Sequence, residues 1–180
     1  MSGYGFLMDL RTCIGCHSCQ FACAEQRSLA NGEWLRRVFH LEAEDHKRYV
    51  GAFSMGCNHC EDPACVKACQ NGAISRDEEK GVVLNDSRKC IGCGACTWAC
   101  PYGAVSISEE TGKAHKCDSC IERRQEGFPP ACVAACPVGS LRFGSIREFD
   151  EEGAEQLEME FLPDVDVTRP STRIIVRRAK

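Results

Sequence analysis

Cys90-Ile91-Gly92-Cys93-Gly94-Ala95-Cys96-Thr97-Trp98-Ala99-Cys100-Pro101 is the stretch on which the fold turns. Its spacing, C-x2-C-x2-C-x3-C-P, sets three thiols close together and a fourth one helical turn further on. Cys13, Cys16, Cys19 and Cys23 repeat that spacing. Cys57, Cys60, Cys65 and Cys69 stretch it to C-x2-C-x4-C-x3-C, and Cys117, Cys120, Cys132 and Cys136 to C-x2-C-x11-C-x3-C with Pro137 behind. Sixteen of the 180 residues are thus Cys, in four groups of four with none left over. The 43% hydrophobic content counts those thiols, so the other apolar side chains are too few to organise an ordinary core unaided.

Three chemistries use cysteine on this scale. Disulfide frameworks belong to small secreted chains, and the opening Met1-Ser2-Gly3-Tyr4-Gly5-Phe6 shows no basic, apolar and cleavage regions in succession. Zinc takes C-x2-C pairs but has no use for a third thiol at +3 and a fourth at +4. Iron–sulfur cubanes need this spacing: three thiolates wrap one cluster and the fourth reaches a neighbour, so clusters come in pairs. Sixteen thiolates then supply four 4Fe-4S clusters. With no thiolate missing, His59, His17, His40, His46 and His115 are not needed as ligands. His59 reads as a loop residue bonding its own turn, and Met8, Met55 and Trp98 as packing residues. Gly15, Gly92 and Gly94 are expected to let the backbone come close to the clusters.

Charge excludes other functions. Lys and Arg total 22 against 26 Asp and Glu, a net of −4, which is not the signature of a nucleic-acid binder. No apolar run approaches the roughly 18 residues of a membrane-spanning helix, so no direct membrane span is expected. Export, if it occurs, is expected to depend on a partner.

The chain repeats itself. Phe6 to Cys16 aligns with Val83 to Cys93, each a strand, a turn with Asp and Arg at equal offsets (Asp9 and Arg11, Asp86 and Arg88), and a thiol loop. After Cys69, Cys100 and Cys136 a Gly turn leads into a strand. A hairpin from Ala73 to Leu84, turning at 77–81, separates groups two and three by the compact interval of a two-cluster ferredoxin. The reading is therefore an α+β fold of two nested bacterial ferredoxin-like units: residues 1–56 plus 101–149 outside, carrying a Cys-free insertion at 24–56, and 57–100 inside. Pairing of group one with two and three with four stays open. Residues 150–180 read as a Cys-free C-terminal extension, an acidic helix to Glu160 followed by an extended arm, whose backbone is expected to find its hydrogen bonds on a partner.

Cys57-Asn58-His59-Cys60-Glu61-Asp62-Pro63-Ala64-Cys65, Lys116-Cys117-Asp118-Ser119-Cys120, and Tyr4-Gly5-Phe6 before group one carry a resemblance. From about Tyr4 to Gly144 the chain resembles the four-cluster electron-transfer subunits of molybdopterin oxidoreductases, of the dimethyl sulfoxide reductase kind. That resemblance implies ligand sets: Cys13, Cys16, Cys19 and Cys136; Cys57, Cys60, Cys65 and Cys100; Cys90, Cys93, Cys96 and Cys69; Cys117, Cys120, Cys132 and Cys23. It implies no catalytic residue here, a large molybdopterin (Mo or W) catalytic subunit as partner, and an integral-membrane quinol-binding anchor subunit. It also implies a place at the cytoplasmic membrane, on the extracytoplasmic face by co-export with a twin-arginine partner, with a cytoplasmic place as the alternative. Gln70 stands where relatives have Pro, and Cys96 where some have Trp and a three-iron centre. A soluble polyferredoxin, or a subunit of a non-membrane molybdoenzyme or hydrogenase, is the alternative function. From charge alone, Glu61 and Asp62 are expected to lower the potential of the group-two cluster, and Lys116, Arg123 and Arg124 to raise that of group four.

Overall fold

A computed structural model of the chain describes residues 3–41 and 51–176. Its elements in chain order are β1 (Tyr4–Asp9), α1 (Ser18–Gln26), β2 (Arg37–Leu41), β3 (Gly51–Met55), α2 (Ala64–Lys67), β4 (Ile74–Asp77), β5 (Val82–Asn85), α3 (Ala95–Ala99), β6 (Val105–Ile107), β7 (Ala114–Lys116), α4 (Ile121–Gln125), α5 (Ala131–Ala134), β8 (Leu141–Ser145), α6 (Ile146–Glu151), β9 (Glu155–Gln156) and β10 (Arg173–Ile175). This is the mixed helix-and-strand composition expected. Among the described residues the strands make a four-stranded sheet, β8-β1-β10-β9, and three hairpins, β2-β3, β4-β5 and β6-β7.

Strand β1 is the centre of the sheet. It runs antiparallel to β8, with Phe6 opposite Phe143, and parallel to β10, with Met8 opposite Ile174. Phe6, Leu7 and Met8 are all buried, because both faces of the sheet are covered and alternation is not needed. Phe6 and Met8 face a core shared with Leu157, Met159, Ile174 and four thiol-bearing residues, Cys23, Cys57, Cys117 and Cys132. Leu7 packs on the other side with Phe149 and Ile175. The internal repeat is visible as geometry: Arg11 and Arg88 each fold back so that backbone N–H and guanidinium both donate to Asp9 and Asp86.

Helices stay short because the thiol loops consume the chain around them. Those within groups one and three start from residues in the left-handed region, His17 before α1 and Gly94 before α3. At Gly92 (φ +73) the reason for glycine differs from expectation: a Cβ there would collide with the Gly112 carbonyl oxygen in the β6–β7 turn, so it is neighbouring backbone that needs the space. Helix α1 packs against α5 and α2 against α3, which joins group one to four and group two to three.

Three features bear on the sequence reading. Hairpin β6–β7, which lies beyond the expected 57–100 unit, packs Val105 and Ala114 into one apolar cluster with Cys65, Ile74, Val83 and Cys96. The acidic segment is not a helix to Glu160: α6 ends at Glu151, Gly153 takes φ +83, and β9 follows. Within the extended arm, β10 inserts between β1 and β9 of its own chain, which supplies hydrogen bonds to Arg173–Ile175. The insertion contributes hairpin β2–β3, with Phe39 opposite Phe53, and residues 42–50 of it, including His46, lie outside the described residues.

Candidate metal centres

The thiols gather in four quartets, each drawing three members from one group and one from another. Cys69, Cys90, Cys93 and Cys96 line a cavity of about 70 Å³, with Ile74 and Ala114 behind them. Cys13, Cys16, Cys19 and Cys136 line a second, with Met8 and Leu141 at its floor. Burial pushes the Cys23 thiol up, and its charged neighbours are Cys117, Cys132 and Cys120. Burial likewise pushes Cys60 up to about 12, with Cys57, Cys100 and Cys65 around it. Among the described residues no three His, Cys, Asp or Glu side chains converge on a point that one ion would occupy. The two cavities set their thiols around a space, which fits a cluster and not a lone zinc about 2.3 Å from every sulfur.

Backbone donors face the sulfurs as thiolate ligation requires. Ala73 N–H donates to Cys69 Sγ (3.2 Å), and Ala104 N–H to Cys100 Sγ (3.4 Å). Both come from one device: the Gly three residues after the Cys, Gly72 or Gly103, takes positive φ and turns the next N–H back onto the sulfur. Gln70 in place of Pro leaves that turn intact. Ala114 N–H donates to Cys90 Sγ (3.3 Å) and Ser119 N–H to Cys117 Sγ (3.3 Å), from outside the x2 loops in the first case and within one in the second.

Exposure grades across the quartets. Cys23, Cys117, Cys120 and Cys132 are all buried, whereas Cys16 and Cys93 are exposed. Exposed apolar side chains, Ile14 and Val138, stand beside Cys16, and Ile91 beside Cys93. Trp98 is 91% exposed and packs on nothing, contrary to its reading as a packing residue, because the inner face of the short α3 is taken by Cys96.

A set of buried polar residues missed in the sequence surrounds the group-two loop. His59 is buried, and its Nδ1 accepts from Val83 N–H (3.0 Å) on β5 rather than from its own turn. Burial pulls the imidazole down, but Cys57 and Cys117 outweigh it and hold it up at about 9, so Nε2 carries a proton on the side of those thiols. Burial pushes Cys57 up, but Lys116 and His59 outweigh it and hold that thiol at about 5. Of the acidic pair expected to tune this site, Asp62 pairs with Lys67 at the surface (2.6 Å), and the charged side chains beside Cys57 are Lys116 and His59. Residues 168–172 strap the same loop. Glu61 and Asp62 N–H donate to the carbonyls of Arg169 (2.8 Å) and Thr168 (3.0 Å), Ser171 Oγ to His59 O (2.8 Å), and Thr172 Oγ1 to Asn58 Oδ1 (2.9 Å). The one hint in sequence was the hydroxyl-rich run Thr168 to Thr172.

Residues 49–146 match the family model described as a 4Fe-4S dicluster domain. The B subunit of the anaerobic dimethyl sulfoxide reductase of Escherichia coli (strain K12) is 38% identical over 177 residues, covering 93% of this chain and 86% of that subunit. The protein belongs to this iron–sulfur family. Its Haemophilus influenzae counterpart is 35% identical over 181 residues, covering 95% and 88%. The iron–sulfur subunit of the nitrate-inducible formate dehydrogenase of Escherichia coli (strain K12) is 34% identical over 162 residues, 81% of this chain and 55% of its own length. As a member of this family the protein is an iron–sulfur electron-transfer subunit and not the catalytic one. No described helix is long and apolar enough to cross a membrane.

Proposed function

We propose that the protein holds four 4Fe-4S clusters and passes single electrons along them, between a membrane quinol or quinone partner and a molybdopterin catalytic subunit. The ligand sets in this reading are Cys13, Cys16, Cys19, Cys136; Cys23, Cys117, Cys120, Cys132; Cys57, Cys60, Cys65, Cys100; and Cys69, Cys90, Cys93, Cys96, ordered so along the wire. The two ferredoxin-like units are nested, the inner one running to Lys116. The observation that carries the reading is the grading of exposure: the two end quartets each have one exposed thiol beside exposed apolar side chains, and the quartet of group four is sealed. A wire needs that arrangement, with water kept from the middle and both ends open to partners. The molybdenum partner, the quinol-binding anchor and an extracytoplasmic location by co-export rest on kinship with the dimethyl sulfoxide reductase subunits, with a cytoplasmic place as the alternative.

Anaerobic isolation of the intact complex tests this. About 16 Fe and as much acid-labile sulfide per chain are expected, with a large molybdenum- or tungsten-bearing subunit copurifying. A preparation with about 8 Fe, or one that runs as a free carrier at all stages, refutes it.

A further inference from the structure

Three Lys and Arg side chains are buried in the described structure: Arg36, Lys116 and Arg173. Arg173 has the expected partner, Asp150, at 2.6 Å. Arg36 and Lys116 have none, since no carboxylate among the described residues lies within ion-pair distance of either. An unpaired buried cation is strongly destabilising unless an anion lies nearby.

Both side chains are held in place. Arg36 Nη1 donates to Ser54 O (3.3 Å) and Ser54 Oγ (3.2 Å), and that hydroxyl lies 3.2 Å from Cys19 Sγ. The guanidinium stacks on Phe6, 4.6 Å from the ring centre. Gly56 leaves it room, since a Cβ there would lie 3.3 Å from Nη2. Its charged neighbours are Cys132, Cys117, Cys19 and Cys23, that is, thiols of the first two quartets in the wire. Lys116 Nζ donates to Val83 O (2.5 Å) and Cys117 O (2.6 Å) and acts on Cys57 and Cys65, so it stands between the second and third quartets.

We propose that Arg36 and Lys116 are the fixed counter-charges of the clusters, one buried cation at each of two successive junctions, each raising the potentials of the two clusters it separates. The inference rests on the four-cluster reading above. A cubane with four thiolate ligands is a dianion that becomes a trianion when it takes one electron from its reduced neighbour; no bond forms or breaks, and no proton moves. A buried cation favours the more negative state, and low dielectric leaves that effect unscreened. The cluster of Cys23, Cys117, Cys120 and Cys132 touches both cations, so it is the most readily reduced of the four. Sealed in the interior, it acts as a reservoir where an electron waits between the two ends.

The test is a redox titration of the anaerobic complex followed by EPR, in wild type and in Arg36→Gln, Arg36→Lys and Lys116→Met. Separate Cys→Ser variants assign the signals. Arg36→Gln is expected to lower two midpoints and Arg36→Lys to restore them; Lys116→Met lowers two, and only the group-four cluster shifts in both variants. Shifts in the same pair, in all four centres or in none overturn the proposal. Iron content separates the two layers: about 16 Fe with unmoved midpoints sinks the counter-charge role alone, whereas missing clusters in wild type sink the wire. Lys116→Met reads its junction independently, so the proposal stays refutable if Arg36→Gln does not assemble.

Discussion

The strap over the group-two loop gives a prediction whose size can be worked out bond by bond. Ser171→Ala removes the hydroxyl that donates to His59 O, but that carbonyl keeps a second donor, Arg76 Nη1 at 2.8 Å. The loss is then one net hydrogen bond, about 1 kcal/mol. Thr172→Val removes the donor to Asn58 Oδ1 in a buried position. Asn58 Nδ2 already has no partner, so this change leaves the whole amide unsatisfied and costs about 2 kcal/mol. The double variant should weaken closure of the loop by about 3 kcal/mol, roughly a hundredfold in its opening equilibrium. With chelator dilute enough that reclosing outpaces capture, release of iron under anaerobic conditions follows the open population. The expected trace has a new early phase carrying about a quarter of the iron, one cluster in four. Thr172→Val alone should speed that phase more than Ser171→Ala alone. A single phase within about twofold of the wild-type rate, or the opposite ranking, refutes the reasoning.

Other consequences are more compact. Gly92→Ala sets a Cβ against the Gly112 carbonyl at positive φ and should cost about 2 kcal/mol, read as faster loss of visible absorbance on warming. Ile174→Ala empties a fully buried site on β10 and should cost about 2–5 kcal/mol in the same assay, whereas Val167→Ala at the exposed turn should change it by less than about 0.5. The guanidinium of Arg11 holds Asp9 below its ordinary 3.8, so the folded pKa is the lower one. Its stabilisation is full above about pH 4 and is lost as pH falls through the folded value. Asp9→Asn should flatten the acid limb of a stability–pH curve there, with its loss of stability seen at pH 7 and vanishing below the folded value.

Sequence and structure agree where spacing alone governs geometry. The thiol intervals, the hairpin of Ile74–Asp77 and Val82–Asn85 and the strands after the Gly turns were all legible, because each depends on residues a few positions apart. The tail was not. Arg173-Ile174-Ile175 reads as a strand, but which edge receives it is a matter of tertiary packing, and a short apolar run offers no register. His59, Arg36 and Lys116 were missed or underread for a related reason. A polar residue in a Cys-rich loop looks solvated in sequence, and only the fold shows that Phe6 covers Arg36 and that Val83 caps His59.

The strap also imposes an order in time. Every cysteine precedes residues 168–175 in the sequence, yet those residues close both the central sheet and the loop bearing Cys57 and Cys60. A nascent chain still threading the ribosome has its thiols in the cytosol but not the segment that seats them. Metallation of that loop must therefore wait until residues 168–175 have followed the thiols out of the ribosome.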